Sequence, residues 1–485
     1  MFSVTTTRRL ASKGGGFAHV PGALSMSRFA KDNRGNVAMT FGLMIFIMMG
    51  FMGTSVDYGR VMLARKQTQQ AIDSAVLAGM RKYQETSDIE QAKTAAKIVY
   101  DLSVAKNGRG TSLTNPLILP ETVTFQEANN NTKLTATVSG GIKTPFIGVA
   151  TKAFSTSTTS LPTLPIQVKS VAELSSGQNS GTNLEVSVMI DITGSMLEDD
   201  NSGSTKMETV KTAASSMVDI LVWSDQATYT SKVGIVPFSA AVNLGSSAAV
   251  TRARGTVSSG TSTTPGSSKY KVGSTTYNIS NTCVTERLGN EKYTDASPSS
   301  SPVGRFYSTG SCSTSTSVMT LSSDKTALKS KITAMTANGM TAGQMGTAWA
   351  WYMLSPNFNS VFDTPNTAAT YSDLTALNSK GKPKLRKIAV LMTDGDYNTQ
   401  YNNGVSSSNG SNGTSKAQAE ALCTAMKAKG IEVFTIGAQV SSSAKTMLKK
   451  CATTEAHFYD ATDGTKMTQA FIDIAYKLVP PYLSQ

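Results

Sequence analysis

Residues 186 to 196, VSVMIDITGSM, carry an apolar segment into a carboxylate at Asp191 and then place hydroxyls at Thr193 and Ser195. A strand end that gathers oxygen donors in this way serves either a phosphoryl group or a hard metal ion. Further along, KIAVLMTDGD runs a second apolar segment into Asp394, and NGMTAGQMGTAWAWYML presents Thr341 in a glycine-flanked loop ahead of a helix. Two carboxylates and three hydroxyls, with no nitrogen or sulfur donor, suit a hard divalent cation such as Mg²⁺, with Mn²⁺ or Ca²⁺ as alternatives. Hydroxyl ligands leave residual positive charge on the ion, so an acidic side chain from a partner protein can take an open position. The competing chemistry is phosphoryl transfer from Asp191. An aspartate phosphatase needs a second carboxylate two positions on, where this chain has Thr193, and no GK[ST] phosphate loop is present. No enzymatic activity is expected.

Composition narrows the field. The 485 residues contain two histidines, His19 and His457, which argues against a histidine-rich metal site or a histidine-based triad. His457 falls in the strand-like AHFYDA, where a packed structural role is expected. A formal charge of +13 raises nucleic acid as a partner. No zinc-finger, helix-turn-helix or RNA-binding signature accompanies it, and many cations sit near the N-terminus, so no nucleic acid is expected. Cys283, Cys312, Cys423 and Cys451 form no CxxC pair. In an exported protein they make two disulfides, in a cytosolic one four buried thiols. Three connectivities are open, and pairing of neighbours is expected: Cys283 with Cys312 and Cys423 with Cys451.

Residues 37–56, VAMTFGLMIFIMMGFMGTSV, are free of charge. At about 1.5 Å per residue such a helix spans a hydrocarbon core. The basic tail 1–36, with Arg8, Arg9, Lys13, Arg28, Lys31 and Arg34, places the N-terminus in the cytoplasm. A cleaved signal peptide is the alternative, although the apolar run is longer than one needs. Residues 57–175 read as a membrane-proximal module. A first helix carries a stripe of Ala71, Ala75 and Gly79. A second starts at a Ser87/Glu90 capping box with Ile89, Ala92, Ala96, Val99 and Leu102 on one face. ETVTFQE, KLTATVSGG and IQVKSVAEL read as strands. Residues 176–182 read as a linker.

From residue 183 to 480 apolar strands alternate with amphipathic helices: LEVSVMI, KVGIVPFSAAV, KIAVLMT and IEVFTIG against KMETVKTAASSMVDILVW, KTALKSKITAM, SKAQAEALCTAMKAKG and DGTKMTQAFIDIAYKL. That alternation predicts an α/β domain with a doubly wound, mainly parallel sheet, whose ligands bind at the carboxyl ends of the strands. Asp191, Thr193, Ser195, Thr341 and Asp394 all fall at such ends or in the neighbouring loop. Cys423 and Cys451 lie on helices flanking IEVFTIG, close enough in topology to meet. The Ser/Thr/Gly-rich insertion 245–320 has little material for a core, so it is either a lobe tied by Cys283–Cys312 or partly disordered. NNGVSSSNGSNGTS is expected to be flexible, and Asp396 and Asn398 to occupy a solvated turn.

Two resemblances bear on function. NRGNVAMTFGLMIFIMMGFMGTSVDYGRVMLARKQTQQAIDSAVLAG resembles the N-terminal segment of the TadE/TadG family of tight-adherence (Flp) pilus assembly proteins, with its basic-Gly start, apolar span and Asp-aromatic-Gly-Arg exit. Processed pilin-like members carry a Glu shortly after the cleavage Gly. Here Gly35 is followed by NVAMTF, with Thr40 at that place, which implies an uncleaved, anchored accessory protein. Asp191, Thr193 and Ser195, with Thr341 and Asp394, resemble the metal-ion-dependent adhesion site (MIDAS) of von Willebrand factor type A domains. Thr193 replaces a Ser there and keeps the hydroxyl. Together the resemblances imply a single-pass protein of the bacterial inner membrane with a Rossmann-like type A domain in the periplasm or at the cell surface. It would bind, with Mg²⁺, an acidic side chain on a pilus or envelope component. A general envelope-integrity or surface-adhesion protein without a pilus role is the alternative.

Overall fold

The computed structural model describes residues 36–86, 88–106, 119–128, 131–154, 163–174, 180–310, 312, 314–362, 364–479 and 481–484. The tail 1–35 with His19, the Ser87 cap and residues 176–179 of the expected linker lie outside the described residues. The chain divides into a smaller unit, 1–66 with 117–120 and 140–166, and a larger one, 67–116 with 121–139 and 167–485. The first elements are α1 (Asn36–Thr86), α2 (Ile89–Lys106), β1 (Leu119–Ala128), β2 (Lys133–Lys143), α3 (Pro145–Phe154) and β3 (Thr163–Leu174).

In the smaller unit, α1 opens with the uncharged run, whose large side chains stay outside any core; Phe46 is 77% exposed. A helix satisfies its own backbone hydrogen bonds, which is what a segment without protein neighbours needs in an apolar medium. The stretch is long and apolar enough to cross a membrane. The short helix α3, which periodicity alone did not reveal, starts where the buried Asp57 carboxylate accepts the Ile147 amide at 2.7 Å. Ala64, Ile142 and Ile166 form a small core beside it.

In the larger unit, the stripe on α1 is buried at Ala71 and Ala75. A Cβ on Gly79 would come within 2.7 Å of Leu134 and 2.9 Å of the Ala92 carbonyl, so glycine permits the close approach of α1, α2 and β2. Asp88 caps α2 by accepting the Glu90 and Gln91 amides at 2.9 and 3.2 Å. The buried face of α2 is Ala92, Ala96, Tyr100 and Val104, while Leu102, expected on that face, is 65% exposed. The helix packs on its i+4 row; Val99 is half-buried beside it and Leu102 turns away.

The remaining elements are β4 (Asn183–Asp191), α4 (Lys206–Leu221), β5 (Ser231–Phe238), β6 (Val242–Asn243), α5 (Ser247–Arg254), β7 (Ser258–Ser262), β8 (Ser267–Val272), β9 (Thr275–Thr285), β10 (Gly304–Ser308), β11 (Met319–Ser322), α6 (Lys325–Thr333) and α7 (Gly343–Leu354). They continue with β12 (Leu385–Thr393), β13 (Gln400–Asn402), β14 (Val405–Ser407), α8 (Ser415–Ala428), β15 (Glu432–Ala438), α9 (Ser442–Cys451), β16 (Phe458–Ala461), α10 (Gly464–Leu478) and β17 (Pro481–Leu483). The sheets are mixed or antiparallel. The six-stranded sheet has order β11-β5-β4-β12-β15-β16. Its pairings are parallel from β5 to β16, with β11 antiparallel at the edge.

Alternation along the central strands divides their side chains between two cores. Val186, Val188 and Ile190 of β4 share one cluster with Met207 and Val210 of α4 and Phe471 of α10. Met189 joins the other with Trp349 of α7, Leu422 of α8 and Met447 of α9. Period-2 alternation in a strand covered on both sides has this result.

The insertion is folded rather than coreless. β7, β8, β9 and β10 form a sheet with β6, and Val284, Val303 and Phe306 join the second large core. The segment expected to be flexible supplies the β13-β14 hairpin. Its Gly404, at φ +85°, accepts the Tyr307 amide, and any Cβ there would overlap the Arg305 carbonyl. Cys283 pairs with Cys312 and Cys423 with Cys451. At the far end of the domain, β17 pairs antiparallel with β3, and Gln84 donates to the Tyr476 and Val479 carbonyls. Within the larger unit, the segments around residues 71–104, 134–138 and 168–174 therefore share one continuous core with the C-terminal domain.

Closing the 28-residue separation between Cys423 and Cys451 restricts the unfolded chain. The double variant Cys423→Ser/Cys451→Ser is expected to lose about 3–4 kcal/mol of unfolding free energy in denaturant titration. An unchanged midpoint would contradict a stabilising role.

Candidate metal centre

The centre is assembled by the parallel pairing of β4 and β12. Their register sets Ile190 opposite Met392, so Asp191 and Asp394 emerge at the same end of the sheet. Both carboxylates are buried. Asp191 is held twice: its Oδ1 accepts the Thr193 amide at 2.9 Å and its Oδ2 accepts the Thr393 hydroxyl at 2.6 Å. The Ser195 hydroxyl donates to Asp394 Oδ1 at 2.7 Å and lies 3.0 Å from the Thr193 hydroxyl.

Backbone hydrogen bonds stitch the contributing loops together. The Gly194 amide donates to the Gly339 carbonyl at 3.0 Å, and the Asn338 amide to the Ile192 carbonyl at 2.8 Å. On its other side the Thr341 carbonyl accepts the Asn398 and Thr399 amides, each at 3.1 Å. Thr341 and Ser195 thus both flank Gly395: their hydroxyls lie 3.8 and 3.9 Å from where a Cβ of that glycine would stand. All five residues singled out in the sequence meet here. Asp396 and Asn398 are exposed, as expected, in the loop after β12, and the Asn398 amide also braces the Thr341 loop. Asp396 accepts the Ser441 hydroxyl at 2.8 Å.

Lys206 was not anticipated. Its buried ammonium donates to Asp394 Oδ2 at 3.1 Å and to the exposed Glu198 at 2.8 Å. A signal for it existed. Thr205 and Glu208 form a capping box, which makes Lys206 the first residue of α4. A cation in the first turn opposes the helix dipole, so its presence there calls for another partner.

Electrostatics follow from burial. Desolvation, with the charge of Asp394 added, pushes the Asp191 carboxyl up to about 7. Burial also raises Asp394, opposed by the Ser195 hydrogen bond and by Lys206. Burial pulls the Lys206 ammonium down, but its pairs with Glu198 and Asp394 outweigh that and hold it above its ordinary value. The donor set fits a hard cation. It comprises two desolvated carboxylates in need of positive charge, the Thr193 and Ser195 hydroxyls, and a Thr341 hydroxyl that donates to no described group. Among the described residues no cluster of three or more His, Cys, Asp or Glu side chains gathers, so any ion here depends on the hydroxyls. His457 is a structural residue, bonded to Glu432 at 2.9 Å and Thr454 at 2.6 Å beside the Phe434 ring.

Comparison with known proteins gives two family matches. Residues 362–473 match the family model for the von Willebrand factor type A domain, and residues 35–82 match that for putative Flp pilus-assembly TadE/G-like proteins. Residues 362–473 thus resemble a type A domain, and residues 35–82 a TadE/G-like segment. No curated protein matches it in sequence. Among solved structures it is similar to the vWF domain of the type V pili tip protein Mfa5 from Porphyromonas gingivalis, at 12% identity and TM-score 0.34, covering 61% of this chain and 95% of that one. It is also similar to the pilus adhesin SpaC from Lactobacillus rhamnosus GG, at 11% identity and TM-score 0.34, covering 76% of this chain. For the pilus adhesin RrgA from Streptococcus pneumoniae the values are 10%, 0.37 and 77%. The chain spans only 35% of the SpaC chain and 52% of the RrgA chain.

The raised Asp191 carboxyl has a defined pH signature. Its folded value lies above its unfolded one, so the folded state binds the proton more tightly and stability falls as pH rises from about 4 to about 7. In EDTA, Asp191→Asn is expected to remove that loss, gaining up to about 4 kcal/mol over wild type at pH 8 and little at pH 4. Thermal unfolding at a series of pH values measures the difference, and a gain independent of pH would contradict it.

Proposed function

We propose that this chain is a membrane-anchored, metal-dependent protein-binding factor in tight-adherence pilus biogenesis, and not an enzyme. One observation carries the proposal: five oxygen-bearing side chains from separate loops meet above the sheet of a type A domain, in a chain that also has a TadE/G-like apolar helix. The helix through residues 37–56 anchors the chain in the inner membrane, with the doubly wound type A domain in the periplasm or at the cell surface. Asp191, Thr193, Ser195, Thr341 and Asp394 would hold Mg²⁺ or a similar divalent ion. When bound, the ion supplies a positive charge for an acidic side chain of a pilus or envelope component.

The chain's own residues prepare that site. Thr393 and the Thr193 amide fix both oxygens of Asp191, and Ser195 orients Asp394. Lys206 offsets one of the two buried negative charges, which limits how strongly the site draws a cation. Leu197 and Met340, next to the cluster in sequence, are exposed and offer an apolar rim to a protein partner.

Calorimetric titration of Mg²⁺ into the detergent-solubilised protein is expected to give a binding heat that Asp191→Ala abolishes. Equal heats would remove the metal from the proposal. Lys206→Met is expected to tighten Mg²⁺ binding by about tenfold, about 1.4 kcal/mol, because the competing ammonium is gone. Affinity capture from envelope extracts in Mg²⁺ and in EDTA tests the partner: a pilus or envelope protein retained only with Mg²⁺ is expected. A partner retained equally in both would separate binding from the ion.

A further inference from the structure

We infer that α3 is a second membrane contact, an interfacial helix lying in the surface of the bilayer that α1 crosses; this presupposes the span assigned above. Phe146 packs its Cβ 2.9 Å from where a Cβ of Gly53 would stand, so the first turn of α3 rests on α1. Gly53 lies within the uncharged run, three residues before its end at Val56. At 1.5 Å per residue this contact is about 5 Å inside the apolar boundary, the depth at which interfacial helices bury their apolar faces.

The chemistry of α3 suits that depth. Its first turn is anchored by buried Asp57, the residue that ends the uncharged run, through the Ile147 amide. Its side chains Phe146 and Val149, one turn apart, stay 49% and 66% exposed although both are apolar. Tyr58, also exposed, puts an aromatic ring at the same level of α1, where such rings favour the headgroup region. Lys143, exposed just before α3, and Arg65, exposed further along α1, stand on the aqueous side for headgroup phosphates. The occupant of the apolar face is therefore lipid, continuous with the lipid around α1.

The test places nitroxide labels on single added cysteines in the full chain, reconstituted in phosphatidylcholine–phosphatidylglycerol vesicles under nonreducing conditions. Val149→Cys reports on α3, Met44→Cys on the span, and Val272→Cys on an exposed strand of the larger unit. Relaxation by oxygen and by a water-soluble nickel chelate is compared. Val149 is expected to favour oxygen several-fold more than Val272, at about 5–10 Å below the phosphates, with Met44 deeper. A deep Met44 with a Val149 as nickel-accessible as Val272 would leave the span intact and overturn the interfacial helix. A nickel-accessible Met44 would overturn the span and the helix contact with it. A Val149 label shielded from both relaxants would mean that protein covers this face, which also overturns the proposal.

Discussion

Two like charges forced together out of water shape the upper end of the six-stranded sheet. Parallel pairing of β4 with β12 leaves Asp191 and Asp394 no freedom to separate, and burial denies them solvent. Each neighbour answers that constraint. Hydroxyls of Thr393 and Ser195 and the Thr193 amide donate to the carboxylates, and the Lys206 ammonium reaches in from the start of α4. Such an arrangement is costly for stability alone, since a buried like-charge pair replaced by apolar side chains would need none of these partners. On the metal-binding proposal, a cation would supply the charge that offsets this cost.

The same strand pair carries a second buried charge at its other end. Glu185 of β4 faces Lys387 of β12 with 2.5 Å between oxygen and nitrogen, and Lys387 also donates to the Leu354 carbonyl. A register slip by one residue would separate these two charges inside the core and would also pull Asp191 away from Thr393. The ion pair below and the oxygen cluster above therefore require one and the same register. Stability and site geometry are coupled through the β4–β12 ladder.

The larger unit is more integrated than a bead-on-string arrangement of module, linker and domain. The chain leaves the module through β3 and returns to it as β17, so removing the C-terminal strand would expose an edge of the module's own sheet. Tyr83 of α1 and Tyr476 of α10 meet with ring centroids 5.5 Å apart, tying the first helix to the last. The insertion is integrated as well, through Val284, Val303 and Phe306 in the second core and through the Cys283–Cys312 bridge. Few apolar residues suffice there because the core they join already exists.

Local pattern alone determined the apolar run and the alternation of strands and helices, and it pointed to the neighbouring cysteine pairs and the five oxygen donors. Each is written in residue spacing or in strand-end chemistry that does not depend on distant parts of the chain. Tertiary structure decided the rest. Asp394 finds Lys206 across 188 positions, which no local period reports, although a lysine heading a helix against its dipole hinted at it. The buried face of α2 followed its packing on Gly79, and not the stripe through Leu102. The strands of the Ser/Thr/Gly-rich insertion and the return of β17 are long-range pairings, and polar composition conceals such strands until a partner edge is in place.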